Sequence, residues 1–179
     1  MARERAQQQR GEGRRSQGEQ RHVYGVNPVM EALRAHPEVV ERLYTSEGQL
    51  SGRAGAELLA LARDAGVRVE SVARERLSQL AEGGVHQGIV AELRAFAYSD
   101  LGELIERAQA SGRPPLFVVL DGIQDPHNLG AIIRSAHALG AHGVVIGKDR
   151  ASPVTGLVAK ASAGAVEHCP IIRVVNISR

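Results

Sequence analysis

Cysteine, tryptophan and long apolar runs are scarce or absent in this sequence. Among its 179 residues there is one cysteine, Cys169, and no tryptophan. A single cysteine excludes a disulfide within the chain and a cysteine metal cluster, so we predict no metal site. No apolar run reaches the ~20 residues that a membrane-spanning helix needs, and the N-terminus lacks the apolar core of a signal peptide. We therefore expect a cytoplasmic protein.

Acidic and basic residues nearly balance, with a formal net charge of +2. Lys148 and Lys160 are the only lysines, so most of the positive charge is on arginine. Arginine is well suited to phosphate binding and to stacking on bases, which permits an RNA partner without establishing one. Residues 1–21 are rich in Arg, Gln, Glu and Gly, so we predict a disordered basic tail there. Both an RNA tether and a solubilising extension fit this tail.

From Val23 to about residue 98, short strands alternate with helices. Asn27 followed by Pro28 predicts a helix N-cap and a first helical turn. The predicted helices are 28–35, 51–65 and 74–80, and the predicted strands are 42–45, 67–72 and 88–97. This alternation is typical of a small three-layer α/β domain.

A glycine-rich loop, Gly83 to Gly88, leads into the last of these strands and contains His86 and Gln87. Glycine lets the backbone approach a ligand closely, and both polar side chains can bond to exposed RNA groups. This loop is our candidate RNA contact in the first domain. The alternative is a tight turn whose histidine completes a hydrogen-bond network, and the sequence leaves both open.

Residues 99–115 connect this domain to the rest of the chain. Ser99 is a predicted N-cap for an amphipathic helix to about Gln109. A stretch rich in Gly and Pro follows, from Ser111 to Pro115, and it ends the connection.

A βαβ unit occupies residues 116–147. Residues 116–121 form an apolar run, which predicts a strand buried on both faces of a parallel sheet. Turn-forming residues follow, and then apolar residues recur at helical spacing from Leu129 to Leu139. Gly140 predicts the helix end, and residues 143–146 predict the next strand. Further on, Ser152 and Pro153 predict the cap and first turn of a helix to about Ala163.

Asn128 and Arg134 are the candidate ligand-binding residues of this unit. A long arginine side chain on a helix leans toward the helix N-terminus, so Arg134 can reach the loop that carries Asn128. An amide and a guanidinium beside a helix start suit a phosphate or a ribose hydroxyl. In the alternative, Asn128 only caps the helix and Arg134 is a solvated surface residue.

Three stretches resemble the SpoU-type RNA 2′-O-ribose methyltransferases of the knotted SPOUT superfamily. They are LDGIQDPHNLGAIIRSAHALGAHGVVI, HVYGVNPVMEALRA and GGVHQGIVAEL. The resemblance implies a ribosomal-protein-like α/β RNA-binding domain at 22–98, followed by the first part of an α/β-knot domain at 116–179.

The same resemblance implies a function and its residues. It implies an enzyme that uses S-adenosyl-L-methionine, acts on a guanosine of large-subunit ribosomal RNA and works as a homodimer. It places Asn128 and Arg134 in the catalytic centre, where both also contact RNA. The resemblance also implies that Glu167, in the segment Ala-Gly-Ala-Val-Glu, lies near the active site. Without the resemblance, Glu167 would be predicted to be an exposed loop carboxylate.

Two later motifs of that family, which complete the knot and the cofactor pocket, do not occur before Arg179. We therefore expect the knot to be incomplete and the cofactor-binding residues to lie beyond Arg179. We also expect these 179 residues alone not to methylate RNA.

Two other functions compete with this one. The first is an RNA-binding module without catalysis. The second is a dinucleotide-binding oxidoreductase, which the sequence disfavours because Gly122 and Gly130 do not make the G-x-G-x-x-G pattern. Asp149 also lies beyond the strand end where a ribose-binding acid belongs.

Overall fold

The computed structural model describes residues 20–46, 48 and 52–178. The predicted basic tail therefore lies outside the described residues, except for Gln20 and Arg21. Seven strands form within these ranges: β1 (Arg21–Tyr24), β2 (Val40–Thr45), β3 (Arg68–Ser71), β4 (Ile89–Leu93), β5 (Phe117–Leu120), β6 (Gly143–Gly147) and β7 (Ile171–Val174). Six α-helices accompany them: α1 (Val26–Ala35), α2 (Gly52–Asp64), α3 (Arg74–Leu80), α4 (Leu101–Ala110), α5 (Pro126–Ala138) and α6 (Gly156–Ala161). Two 3-10 turns, Pro37–Val39 and Ala165–Glu167, complete the described structure.

The first half of the chain, residues 20–98, forms a four-stranded sheet in the order β1-β4-β2-β3. β4 is antiparallel to both of its neighbours, and β2 and β3 are parallel. β1 was not predicted as a strand. It begins at Arg21, which is buried, so the predicted tail boundary at residue 21 is one residue too late.

The second half, residues 99–178, forms a separate three-stranded parallel sheet in the order β5-β6-β7. The predicted βαβ unit is therefore present as β5-α5-β6. Val144, Val145 and Ile146 in β6 are buried, as a central parallel strand should be. β5 differs because it lies at the sheet edge, where Leu116 and Val119 are 48% and 55% exposed. The prediction that this strand is buried on both faces is wrong within the described chain.

Three predicted helix starts are wrong. α1 begins before Asn27, which lies inside the first turn rather than at the cap. α4 is capped by Asp100, whose carboxylate accepts a first-turn N–H, rather than by Ser99. α6 begins at Gly156, with Thr155 rather than Ser152 at its N-cap.

Tertiary hydrogen bonds explain two of these errors. The Ser99 N–H donates to the Ile171 carbonyl over 2.8 Å, so the chain is still paired with the edge strand β7 at Ser99 and the helix begins after Asp100. The Ser152 N–H donates to the Ile123 carbonyl over 2.8 Å, which ties its loop to the turn before α5. Both partners are distant in sequence, and no local pattern reports them.

The two halves share one hydrophobic core. Buried residues of β1 and α1, such as Val23 and Val29, belong to the same cluster as Leu129 and Ile133 of α5 and Val158 of α6. The two sheets are distinct, but the helices between them are packed into one interior. No helix among the described residues is both long and apolar enough to cross a bilayer.

Candidate active site

α5 displays the two residues that the sequence singled out. Its N-cap is Asp125, whose carboxylate accepts the His127 N–H at 3.0 Å. Asn128 therefore lies in the first helical turn and does not cap the helix. Asn128 and Arg134 are both exposed, and neither side chain has a hydrogen-bond or ion-pair partner among the described residues. Six residues of helix separate them by about 9 Å along the axis, a span that the leaning arginine stem shortens.

The opposite face of α5 fixes this orientation. Leu129, Ile133 and Ala136 are buried there, together with Gly130. A Cβ added to Gly130 would lie 2.5 Å from the Ala161 Cβ, so α6 packs directly on the α5 backbone. Close packing on one face holds Asn128 and Arg134 on the other.

Glu167 is buried between the two halves. Its carboxylate accepts two hydrogen bonds from the Arg21 guanidinium, both at 2.8 Å, and its side chain is 1% exposed. The Arg21 guanidinium also lies over the Phe96 ring, 5.1 Å from its centre. The reading of Glu167 as an exposed loop carboxylate is wrong, because both oxygens are occupied by an arginine 146 positions away in sequence. Its placement near the reaction stays a prediction.

His86 has a structural environment that corrects its assignment as an RNA contact. The ring is buried, and its Nδ1 accepts the Gly88 N–H at 3.1 Å. Nε2 lies 3.3 Å from the Ser78 hydroxyl. Burial lowers the pKa of His86, and the positive charge of Arg74 lowers it further. The imidazole therefore completes a hydrogen-bond network, which is the alternative that the sequence left open.

Gln87 is also used by the fold. Its side-chain oxygen accepts the Val26 N–H at 3.0 Å, at the start of α1. This bond caps a helix whose own N-cap residue, Gly25, has no side chain to do so. Of the predicted RNA contacts, only Asn128 and Arg134 remain unpartnered in the described structure.

Two cavities lie between the halves, and neither is lined by Asn128 or Arg134. The larger has a volume of ≈ 700 Å³ and is lined by Tyr24, Phe96 and Tyr98, among others. The smaller, of ≈ 620 Å³, is lined by the Arg21–Glu167 pair and by Cys169. Burial raises the pKa of Cys169 to about 11, so its thiol stays protonated and unreactive.

Among the described residues, no cluster of three His, Cys, Asp or Glu side chains could hold a metal ion. The buried side-chain atoms without partners are Arg21 Nε and Ser46 Oγ, and both belong to the first half rather than to α5. No unpartnered buried atom among the described residues therefore points to a cofactor beside Arg134.

Two family descriptions match this chain in succession. Residues 22–99 match the family described as RNA 2′-O ribose methyltransferase substrate binding. Residues 115–179 match the SpoU rRNA Methylase family.

Curated relatives agree with these matches. The chain is 42% identical over 158 residues to the putative TrmH family tRNA/rRNA methyltransferase YacO of Bacillus subtilis. It is 41% identical over 160 residues to the 23S rRNA (guanosine-2′-O-)-methyltransferase RlmB of Pseudomonas putida. Each match covers 88% of this chain and 62% of the relative. The chain thus spans less than two thirds of the length of these relatives.

Solved structures resemble the fold. The SpoU methyltransferase AviRb of Streptomyces viridochromogenes superposes with a TM-score of 0.67 at 26% identity, over 89% of this chain and 55% of AviRb. AviRb in complex with the cofactor AdoMet superposes with a TM-score of 0.64 at 27% identity, over 88% of this chain and 56% of AviRb.

Proposed function

Because this chain belongs to the SpoU family of RNA methyltransferases, we propose that its protein methylates a ribose 2′-hydroxyl of RNA, with S-adenosylmethionine as the methyl donor. The proposed substrate is a guanosine of large-subunit ribosomal RNA in the cytoplasm. The name of the Pseudomonas relative supports the guanosine, and the AviRb complex supports the cofactor.

The observation that carries the proposal is that the side chains of Asn128 and Arg134 have no hydrogen-bond or ion-pair partner among the described residues. Most polar side chains that the sequence singled out are bonded inside the fold, whereas these two are exposed on one helix without a partner among the described residues. A guanidinium that is not used by the fold is available to a phosphate or to a developing negative charge.

The chemistry requires the ribose hydroxyl to lose its proton as its oxygen attacks a methyl carbon. The cofactor, when bound, supplies that methyl group on a positively charged sulfur. Arginine is not deprotonated in proteins, so Arg134 is a poor general base. We assign it the stabilisation of the developing alkoxide and the binding of the adjacent phosphate, which then assists proton loss. The amide of Asn128 orients the hydroxyl.

We further propose a homodimer. The support is the family resemblance, and exposed apolar side chains of the second half, such as Leu139 at 79% exposure, offer candidate contacts.

The test measures catalysis and binding separately, in protein expressed from the complete gene. Arg134→Ala should lower the rate of tritiated-methyl incorporation into ribosomal RNA by about 100-fold or more, while the Kd for RNA rises less than about tenfold. Arg107→Ala, at an exposed arginine of α4 that lies between the two matched family regions, is the matched control and should leave both values near wild type. Nucleoside analysis should find 2′-O-methylguanosine.

Two results would contradict the proposal. Full activity of Arg134→Ala would remove Arg134 from the reaction. RNA binding by the wild type without any methylated product would favour the non-catalytic RNA-binding module instead.

A further inference from the structure

An aromatic cleft separates the two halves of the chain. This is the ≈ 700 Å³ cavity lined by Tyr24, Phe96 and Tyr98, by the Gly83–Gly84 backbone and by Arg173. The chain has five Phe and Tyr residues and no Trp, so three of its five aromatic rings lie at this one cavity. Its volume falls within the range of about 300–1,000 Å³ that is typical of small-ligand sites.

Tyr98 and Arg173 form a stacked pair in the cleft. The Arg173 guanidinium lies over the Tyr98 ring, 5.4 Å from its centre. The Tyr98 hydroxyl accepts the Val154 N–H at 3.2 Å, and an Arg173 N–H donates to the Lys148 carbonyl at 2.9 Å. Both side chains are thus held in place, while Arg173 stays exposed and has no carboxylate partner among the described residues.

The remaining walls are also rigid. Phe96 meets Tyr98 edge to face, with 5.2 Å between ring centres. The Gly84 backbone lies against the Tyr24 ring so closely that a Cβ there would come within 2.6 Å of it. The glycine-rich loop expected to contact RNA through His86 and Gln87 therefore contributes its first two glycines to the cleft wall instead.

The cleft lies next to the segment that leads to Asn128. Arg173 is near the carboxyl end of β7, and its partner Lys148 directly follows β6. Parallel α/β sheets bind ligands at this carboxyl edge. The wall segment that contains Val154 is joined to the turn before α5 by the hydrogen bond from Ser152 to Ile123.

We propose that the aromatic cleft binds one unpaired RNA base close to the nucleotide that is methylated, with the base stacked on the Arg173 guanidinium that Tyr98 supports. The proposal rests on the proposed function. Single-stranded RNA is recognised through bases stacked on aromatic rings and arginine planes. Glu82 also lines the cleft without a cation partner among the described residues. A carboxylate accepts hydrogen bonds from base amino groups and repels phosphate, which favours a base as the occupant.

The test uses the full protein and unstructured RNAs of about 12 nucleotides, a length within the range of single-strand-binding sites. Each RNA carries a single 2-aminopurine at a different position. Binding to the wild type should quench 2-aminopurine fluorescence at one position of the label, because the base stacks there. Arg173→Lys keeps the charge but removes the planar group, and it should abolish the quenching and weaken binding by at least about fivefold. An RNA that lacks the base at that position should bind the wild type and Arg173→Lys with the same, weakened affinity.

The chain offers a matched control. Arg42 also lies over a tyrosine, Tyr44, at 5.8 Å from the ring centre, but outside the cleft. Arg42→Lys should leave quenching and affinity near wild type. Equal effects of the two substitutions, or wild-type affinity for the base-free RNA, would overturn the cleft site and leave the proposed function standing. If the wild type bound no RNA, the proposed function and the cleft would fail together.

Discussion

Arg21 and Glu167 form the one buried ion pair among the described residues. The side chains of the other pairs are at least 28% exposed, whereas these are 9% and 1% exposed. Two charges withdrawn from water are tolerated only when they are paired and hydrogen-bonded. Here both carboxylate oxygens are bonded, while Arg21 Nε has no partner within the described structure. The pair joins the first strand to the turn before β7 and so fixes one half against the other.

At this scale, we predict that Glu167→Gln destabilises the protein by about 3–5 kcal/mol, because it leaves the buried Arg21 charge without its counterion. Urea denaturation followed by circular dichroism measures this change. Glu70→Gln is the matched control, since its pair with Arg42 spans 3.2 Å with both side chains about 40% exposed. It should cost no more than about 1 kcal/mol. A slower methyl transfer with unchanged stability would instead give Glu167 the catalytic role that the family resemblance implies.

At the scale of elements, the packing of α6 on α5 orients the candidate active site. The contact is close because Gly130 has no side chain, and the backbone N–H of Ser162 lies only 2.9 Å from where its Cβ would be. Backbone cannot move aside as a flexible side chain can. The exposed face of α5, with Asn128 and Arg134, is therefore set by a buried glycine on the opposite face.

We predict that Gly130→Ala destabilises the fold by about 1–3 kcal/mol, since overpacking outweighs the gain of about 1 kcal/mol in helix propensity. It should also lower methyl transfer by moving α5. Thermal denaturation and the rate measure the two effects. Gly102→Ala on α4 is the control: it is exposed, and its nearest contact is the Asp100 side chain at 3.1 Å. If Gly130→Ala changed neither the stability nor the rate, the two helices would be able to separate at little cost in free energy.

At the scale of the whole molecule, two sheets with separate strand pairing share one interior. Val23 and Val29 of the first half and Leu129 and Ile133 of the second belong to one buried cluster. The connection between the halves is also bonded to the second sheet, through Ser99 and Ile171. Neither half keeps its apolar surface covered without the other.

We therefore predict that the described chain unfolds in one cooperative transition. In calorimetry the measured enthalpy should equal the van't Hoff enthalpy. Tyrosine fluorescence reports on the first half through Tyr24 and Tyr44 and on its contact with the second half through Tyr98. It should change together with far-UV circular dichroism. Two separated transitions would mean that the shared core contributes little and that the halves are independent domains.

Local patterns in the sequence predicted much of the fold. The alternating α/β class and the SpoU resemblance are confirmed, and the helix at residues 74–80 has the predicted bounds. Errors occurred where distant contacts override local preference. Strand β1 carries the polar pair Arg21 and His22 at its start, and Arg21 is buried only because Glu167 lies across from it.

The site was predicted less well than the fold, for the same reason. Asn128 and Arg134 follow from a local pattern on one helix, and the structure leaves both exposed. The aromatic cleft brings together residues from β1, from the segment after β4 and from β7, so it required the tertiary structure. One signal was available: with so few aromatic residues in the chain, Phe96 and Tyr98 lie two positions apart just before the predicted connection.

The separation of 146 residues between Arg21 and Glu167 also determines when the pair can form during synthesis. At about 5–20 residues per second, a ribosome adds Glu167 roughly 7–30 s after Arg21. The first half is complete in sequence about midway through that interval, but Arg21 at the start of its first strand still lacks the Glu167 carboxylate. The long loop between the two residues must close before the pair can form. The contact between Arg21 and Glu167 therefore forms only after most of the second half has been synthesised, and until then the first half lacks this carboxylate at its edge.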